Sequence, residues 1–226
     1  MEIIAGGVTA AKGFEAAAAE AQIKYKDRKD MALVYSQVPC VAAGTFTTNV
    51  VKAAPVKWDQ EVVYGGAEAR AVVINSGIAN ACTGAEGYGD CKETSDAAAK
   101  ALGVPEGSVL VASTGVIGMQ LPIDRIVKGI SLLAESKAST EEAGLEAAKA
   151  IMTTDTKPKY AAARIRTAAY LGFVSVVMIA FAASRPASSV EALLSARRPT
   201  PFAMRSIGSC MPITPVDATS TELSGI

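Results

Sequence analysis

Two short runs constrain the fold most. Residues 69–74 (ARAVVI) are nearly continuous in apolar side chains and stop at Asn75-Ser76-Gly77. Residues 108–112 (SVLVA) do the same and stop at Ser113-Thr114-Gly115. A run of this length bounded by turn residues reads as a buried strand that feeds a turn. Residues 31–38 (MALVYSQV) and 43–51 (AGTFTTNVV) are rich in β-branched and aromatic side chains and read as two further strands, with Pro39-Cys40 between them. Residues 61–64 read as a short strand. Helices are expected over 90–102, closed by Gly103 and Pro105, and over 123–134, with Pro122 in the first turn. A third is expected from the capping box Ser139-Thr140-Glu141-Glu142 to Met152. Strands and helices that alternate irregularly imply a mixed α/β, or α+β, layered domain.

Composition narrows the chemistry. The 226 residues carry 22 Lys+Arg against 22 Asp+Glu, so no global field draws the chain to nucleic acid or to an anionic membrane. Hydrophobic residues make up 50% and charged residues 19%, which excludes a disordered chain. There is no histidine. That excludes Ser-His-Asp and Cys-His catalysis and His-ligated zinc. A nucleophile must then be activated by Lys, a carboxylate, an α-amino group or the backbone. Cys40, Cys82, Cys91 and Cys210 form no C-x-x-C pair, so no metal site is expected. The N-terminus has no basic region followed by an apolar run, and with so few cysteines the chain reads as cytoplasmic.

The character of the chain changes at Lys159. Before it Lys outnumbers Arg. Beyond it there is no Lys, and the basic residues are Arg164, Arg166, Arg185, Arg197, Arg198 and Arg205. Residues 1–159 and 160–226 are therefore read as separate regions, divided by a domain boundary or by a change of reading frame. The uncharged stretch 167–184 (TAAYLGFVSVVMIAFAAS), from Thr167 to Ser184, is near the shortest length that spans a bilayer. A membrane anchor is the minor reading of it, a buried segment the major one.

Three segments could carry chemistry. Asn75-Ser76-Gly77-Ile78-Ala79-Asn80-Ala81-Cys82-Thr83-Gly84 is a loop of small residues that a ligand could approach, or an ordinary Gly/Asn turn. Ser113-Thr114-Gly115-Val116-Ile117-Gly118 lies where a strand gives way to a helix, a junction that can present a hydroxyl and backbone N–H groups as an oxyanion hole. Met152-Thr153-Thr154-Asp155-Thr156-Lys157-Pro158-Lys159 gathers hydroxyls, a carboxylate and two ammonium groups after a helix. It could bind a polar amino-acid-like substrate, or be a solvated helix end.

Taken together and in this order, these segments resemble the ornithine acetyltransferase family, the glutamate N-acetyltransferases of arginine biosynthesis. The opening Ala5-Gly6-Gly7-Val8-Thr9-Ala10-Ala11-Lys12-Gly13-Phe14 fits, as do the run from Asp30 to Ser36, Ala42-Ala43-Gly44-Thr45-Phe46-Thr47-Thr48-Asn49 and Lys52-Ala53-Ala54-Pro55-Val56. The resemblance covers residues 1–159, the α-subunit region. It implies a layered fold of the N-terminal-nucleophile-like type and a precursor that cleaves itself between Ala and Thr. The freed Thr is then the nucleophile, with its own α-amino group as base. It takes acetyl from N-acetylornithine and passes it to glutamate. The resemblance carries the oxyanion hole to Thr114 and Gly115 and substrate binding to Thr153. It implies a β subunit as partner in an α2β2 assembly and no cofactor, and leaves acetyl-CoA open as a second donor.

The family continues with Lys-Gly-x-Gly-Met and Pro-Asn-Met-Ala-Thr, and neither run occurs in residues 160–226. The only Ala-Thr pair there, Ala218-Thr219, lacks that surrounding motif. The nucleophile is thus unknown, and this chain is expected to be truncated and inactive. The alternative is a non-catalytic α-like fragment that binds a β chain or an amino-acid ligand.

Overall fold

The computed structural model of the chain describes residues 2–166, 173–178 and 212–214. The elements begin with β1 (Glu2–Ile4), a 3-10 turn (Gly7–Ala10), β2 (Phe14–Ala19), β3 (Met31–Ala42), α1 (Ala54–Tyr64), β4 (Ala69–Ile78) and α2 (Gly84–Leu102). They continue with β5 (Val109–Val116), α3 (Ile123–Ser136), α4 (Glu141–Ala150), β6 (Ala162–Arg166), β7 (Phe173–Met178) and β8 (Pro212–Thr214). The strands join in the order β1-β6-β7-β8-β3-β4-β5, with β2 also paired to β3.

β4 and β5 run parallel, in register from Ala71–Val109 to Ile78–Val116. The other described pairs are antiparallel. A parallel pair needs a crossover connection, and α2 supplies it. The consequence is that Asn75-Ser76-Gly77 and Ser113-Thr114-Gly115 emerge side by side at the carboxyl ends of adjacent strands.

Strand periodicity distributes the apolar residues over two faces. Ala32 and Val34 of β3, Val72 and Ile74 of β4, and Leu110 and Ala112 of β5 share one core with Val62 of α1 and Ala147 and Ala150 of α4. Met31 and Leu33, Ala71 and Val73, and Val109 share the other with Ala98 and Ala99 of α2 and Ile126, Ile130 and Leu133 of α3. The strands read as continuous apolar runs because both faces are covered. The architecture is the expected α/β layered one.

The sequence reading needs correction at several elements. Residues 43–51 form no strand. Val50 and Val51 are 92% and 72% exposed, and Thr47 and Asn49 side chains accept from the backbone N–H groups of Asn49 and Val51. β-Propensity without a neighbouring strand loses to such local bonds. Residues 61–64 are the last turn of α1, where Val62 packs with one core and tertiary burial overrides its β-preference. β3 passes straight through Pro39-Cys40, with its register to β4 shifted between Tyr35 and Cys40. α2 starts at Gly84 rather than at 90. Thr140, not Ser139, caps α4, its hydroxyl accepting from Ala143 N at 3.2 Å, and α4 ends at Ala150 rather than Met152.

The 167–184 stretch contains β7, which pairs with β6. Its remaining residues lie outside those described. Among the described residues no helix is long and apolar enough to cross a membrane.

Candidate functional site

The carboxyl ends of parallel strands are where layered α/β proteins open toward ligands. Here that end is the β4–β5 corner. Thr114 stands in register with Ser76, and Gly115 with Gly77. Thr114 is half-buried and Gly115 exposed. Gly115 has φ +139°, and a Cβ on it would lie 2.3 Å from the carbonyl carbon and oxygen of Gly77. Only glycine lets the two backbones approach so closely.

The loop after β4 is tied up internally. Asn75 Nδ2 donates to Ile78 O at 2.8 Å. Asn80 N donates to Ser113 Oγ at 2.8 Å, and Asn80 Nδ2 to Gly87 O at 2.7 Å. Thr83 Oγ1 donates to Asn80 Oδ1 at 2.6 Å. Asn75 and Asn80 are 4% and 2% exposed. These amides build the corner instead of facing a ligand, so the plainer of the two sequence readings of this loop holds for them. Asn80 also draws the amino end of α2 down onto the loop and, through Ala54 N to Asn80 O at 3.3 Å, the start of α1.

Ser76 links the corner to the third segment. Its hydroxyl donates to Ala150 O, the last residue of α4, at 2.7 Å. Thr153 follows three residues later and is exposed. The turn that carries it is held from two further sides, by Arg28 Nη2 donating to Met152 O at 2.6 Å and by Lys159 Nζ on Asp155 Oδ1 at 2.7 Å. The segments singled out in sequence are therefore joined through Ser76 and the end of α4.

Two carboxylates that sequence reasoning missed support this assembly. Asp30 is 2% exposed. Its Oδ1 accepts from Ala21 N at 2.7 Å and its Oδ2 from Ile23 N at 2.6 Å, while its carbonyl accepts from Ser76 N at 2.8 Å. It closes the 20–30 turn and fastens it to the end of β4. Asp59 of α1 is 4% exposed and accepts from Val111 N of β5 at 2.9 Å. Burial pushes its carboxyl up to about 8, against the lowering effect of the Val111 N–H. Trp58 Nε1 donates to Val109 O at 3.0 Å. Together the two residues satisfy the outer edge of β5, three residues before Thr114. An isolated Asp beside an apolar run carries no sequence signature, whereas Ser76 was visible inside the Asn-Ser-Gly motif.

Cys91 is buried, its thiol pushed up to about 12 by burial and then by the Asp59 and Asp90 charges. A thiol held protonated is a poor nucleophile. A separate cleft of about 610 Å³ lies along α1, lined by residues including Thr48, Asn49, Lys52 and Lys57, and contains none of Thr114, Gly115 and Thr153.

Known proteins resemble this chain in sequence and in fold. The ArgJ family pattern matches residues 15–183. The arginine biosynthesis bifunctional protein ArgJ of Symbiobacterium thermophilum is 54% identical over 167 residues, which are 73% of this chain and 41% of that protein. The protein of the same name from Thermotoga neapolitana is 48% identical over 149 residues, 66% of this chain and 36% of its own length. The chain thus spans about two fifths of the curated relatives it matches. The crystal structure of the Bacillus halodurans ArgJ protein superposes with a TM-score of 0.67 at 38% identity, covering 72% of this chain and 85% of that one. Ornithine acetyltransferase from Mycobacterium tuberculosis, crystallised with ornithine, gives 0.68 at 45% identity, covering 71% and 86%. By sequence and by fold, the chain belongs to the ArgJ family.

Proposed function

We propose that this chain supplies the oxyanion-binding half of an acetyltransferase that moves acetyl from N-acetylornithine to glutamate, a cytoplasmic step of arginine biosynthesis. The observation that carries the reading is the alignment of Thr114-Gly115 with Ser76-Gly77 at the carboxyl end of the parallel pair, with the Thr153 turn tied to it through Ser76. In this reading a Thr hydroxyl, activated by its own α-amino group, attacks the acetyl carbonyl. The Thr114 hydroxyl and Gly115 N–H stabilise the negative charge that develops on the oxygen. The tetrahedral intermediate collapses, ornithine leaves as the amine with the proton, and an acetyl-Thr ester remains. The glutamate amine then attacks that ester, and the Thr hydroxyl is regenerated. Thr153 holds the amino-acid portion. No cofactor enters this transfer; N-acetylornithine is the acetyl donor, and acetyl-CoA stays open as a second one.

The nucleophile belongs to a partner β segment in this reading. Val116, Ile117 and Met119 are 41%, 62% and 46% exposed just beyond Gly115, an apolar margin suited to such a chain in an α2β2 assembly. The solved Bacillus chain is filled to 85% by a stretch that fills 41% of the full-length Symbiobacterium relative, which is consistent with family chains about half the precursor length.

Two assays test the proposal. The 226-residue chain alone should show no acetyl transfer from N-acetylornithine to glutamate, since it lacks the Met-Ala-Thr run; robust turnover would overturn that. In a full-length relative, replacing the Thr that matches Thr114 by Ala should lower kcat about a hundredfold or more, the usual loss for one oxyanion donor. An unchanged kcat would remove Thr114 from the hole.

A further inference from the structure

The segment 20–30 lies against the corner just described, and no motif marked it. Asp30 folds it into a turn by accepting from Ala21 and Ile23 N–H groups and fixes it to Ser76. The turn brings Lys24 onto Gly77. A Cβ on Gly77 would lie 3.1 Å from Lys24 Cβ, so the stem of Lys24 crosses the residue in register with Gly115. The Lys24 ammonium stands 4.9 Å from the centroid of the Tyr25 ring. Arg28 approaches the same ring at 5.8 Å while its guanidinium donates to Met152 O, next to Thr153. One aromatic ring thus meets both the ammonium of Lys24, whose Cβ lies against Gly77, and the guanidinium that bonds the Thr153 turn.

Lys24 is exposed and enters none of the ion pairs formed among the described residues. Two of the acids in this turn are turned to other work. Asp30 is spent on backbone N–H groups, and Glu20 accepts from Gln22 Nε2 and Asp27 N. An exposed ammonium whose side chain starts against Gly77, and which enters none of these ion pairs, is suited to receive a carboxylate from a ligand.

Resting on the proposed acetyl transfer, we infer that Lys24 is the carboxylate-binding residue of this site and selects free α-amino acids and their N-acetyl derivatives over neutral amides. Tyr25 and Arg28 hold the turn that presents it. Arg28 is a positioning residue, because its guanidinium is already committed to Met152 O.

The test is calorimetric titration of the 226-residue chain and its variants with N-acetyl-L-ornithine and with the corresponding α-carboxamide. Lys24→Met should weaken binding of the carboxylate about tenfold or more, and Lys24→Arg should restore most of it. The carboxamide should bind Lys24→Met and the parent chain alike. Equal carboxylate binding by Lys24→Met and the parent, or an equal loss for the carboxamide, overturns the assignment. Thr153→Val separates this inference from the function it rests on. Weakening by Thr153→Val without weakening by Lys24→Met leaves the function standing and removes Lys24. Failure of the parent chain to bind N-acetyl-L-ornithine at millimolar concentration overturns both.

Discussion

At the scale of single residues, the buried carboxylates do the organising. Asp30 spends both oxygens on backbone N–H groups, and Asp59 supplies an acceptor to a strand N–H that no strand among the described residues reaches. Asp59 has a pH signature. Its folded-state value, about 8, lies above the ordinary 3.8 because burial penalises the charge. Between roughly pH 4 and 8 the folded chain therefore keeps a proton that the unfolded chain has released. Stability falls as pH rises through that window, by up to about 1.4 kcal/mol per pH unit. Asp59→Asn keeps an acceptor for Val111 N–H and removes the titration. The variant should gain on the parent steadily from pH 5 to 8 in thermal melts followed by circular dichroism. Parallel melting curves across that range would show that Asp59 does not titrate there.

Between elements, the decisive contact is the backbone approach of β4 and β5 at their carboxyl ends. Gly115 is the point of closest approach, with φ +139° and no room for a Cβ against Gly77. Gly118, three residues on, has φ +77° but nothing within 4 Å of an added Cβ. Gly115→Ala should therefore cost about 3 kcal/mol or more, or prevent folding. Gly118→Ala should cost only about 1 kcal/mol, the conformational strain alone. Urea denaturation of the two variants checks the contrast, and equal losses would mean that the corner relaxes around the new methyl group. The legibility of elements follows the same physics. β4, β5 and α3 could be read because burial on a fixed period leaves a pattern; in α3 the buried positions are Ile126, Gly129, Ile130 and Leu133. The 43–51 segment could not, because its Thr, Phe and Val side chains suit a strand equally well whether or not a neighbour exists to pair with.

For the molecule as a whole, the two apolar cores are built, among the described residues, from buried side chains between Ala11 and Ala150, with Val8 and Ile151 packed against them. β6, β7 and β8 join β1 to β3 outside these cores. We therefore expect a chain ending at Arg166 to unfold cooperatively, with a melting temperature within a few degrees of the 226-residue chain. A broad, non-cooperative transition would show that residues beyond 166 are part of the folding unit and would refute a boundary near Lys159. The three-layer order also explains why the candidate site lies where it does. The crossover helix α2 makes β4 and β5 parallel, and parallel neighbours deliver both of their terminal turns to one end of the sheet.

The sequence by itself determined the layered α/β class, the identity of the two buried strands and the three motif segments, because each is a local pattern of residue types set by burial or by turn chemistry. It also determined which catalytic chemistries a chain without histidine can perform. Only the tertiary structure decided that Asn75 and Asn80 serve the loop itself, that Ser76 binds the end of α4, that Asp59 closes the β5 edge and that Lys24 lies on Gly77. Each of these is a contact between residues far apart along the chain or a choice among several partners open to the same polar group. Such a choice depends on which groups packing brings within hydrogen-bond distance, and no residue's own chemistry can fix it.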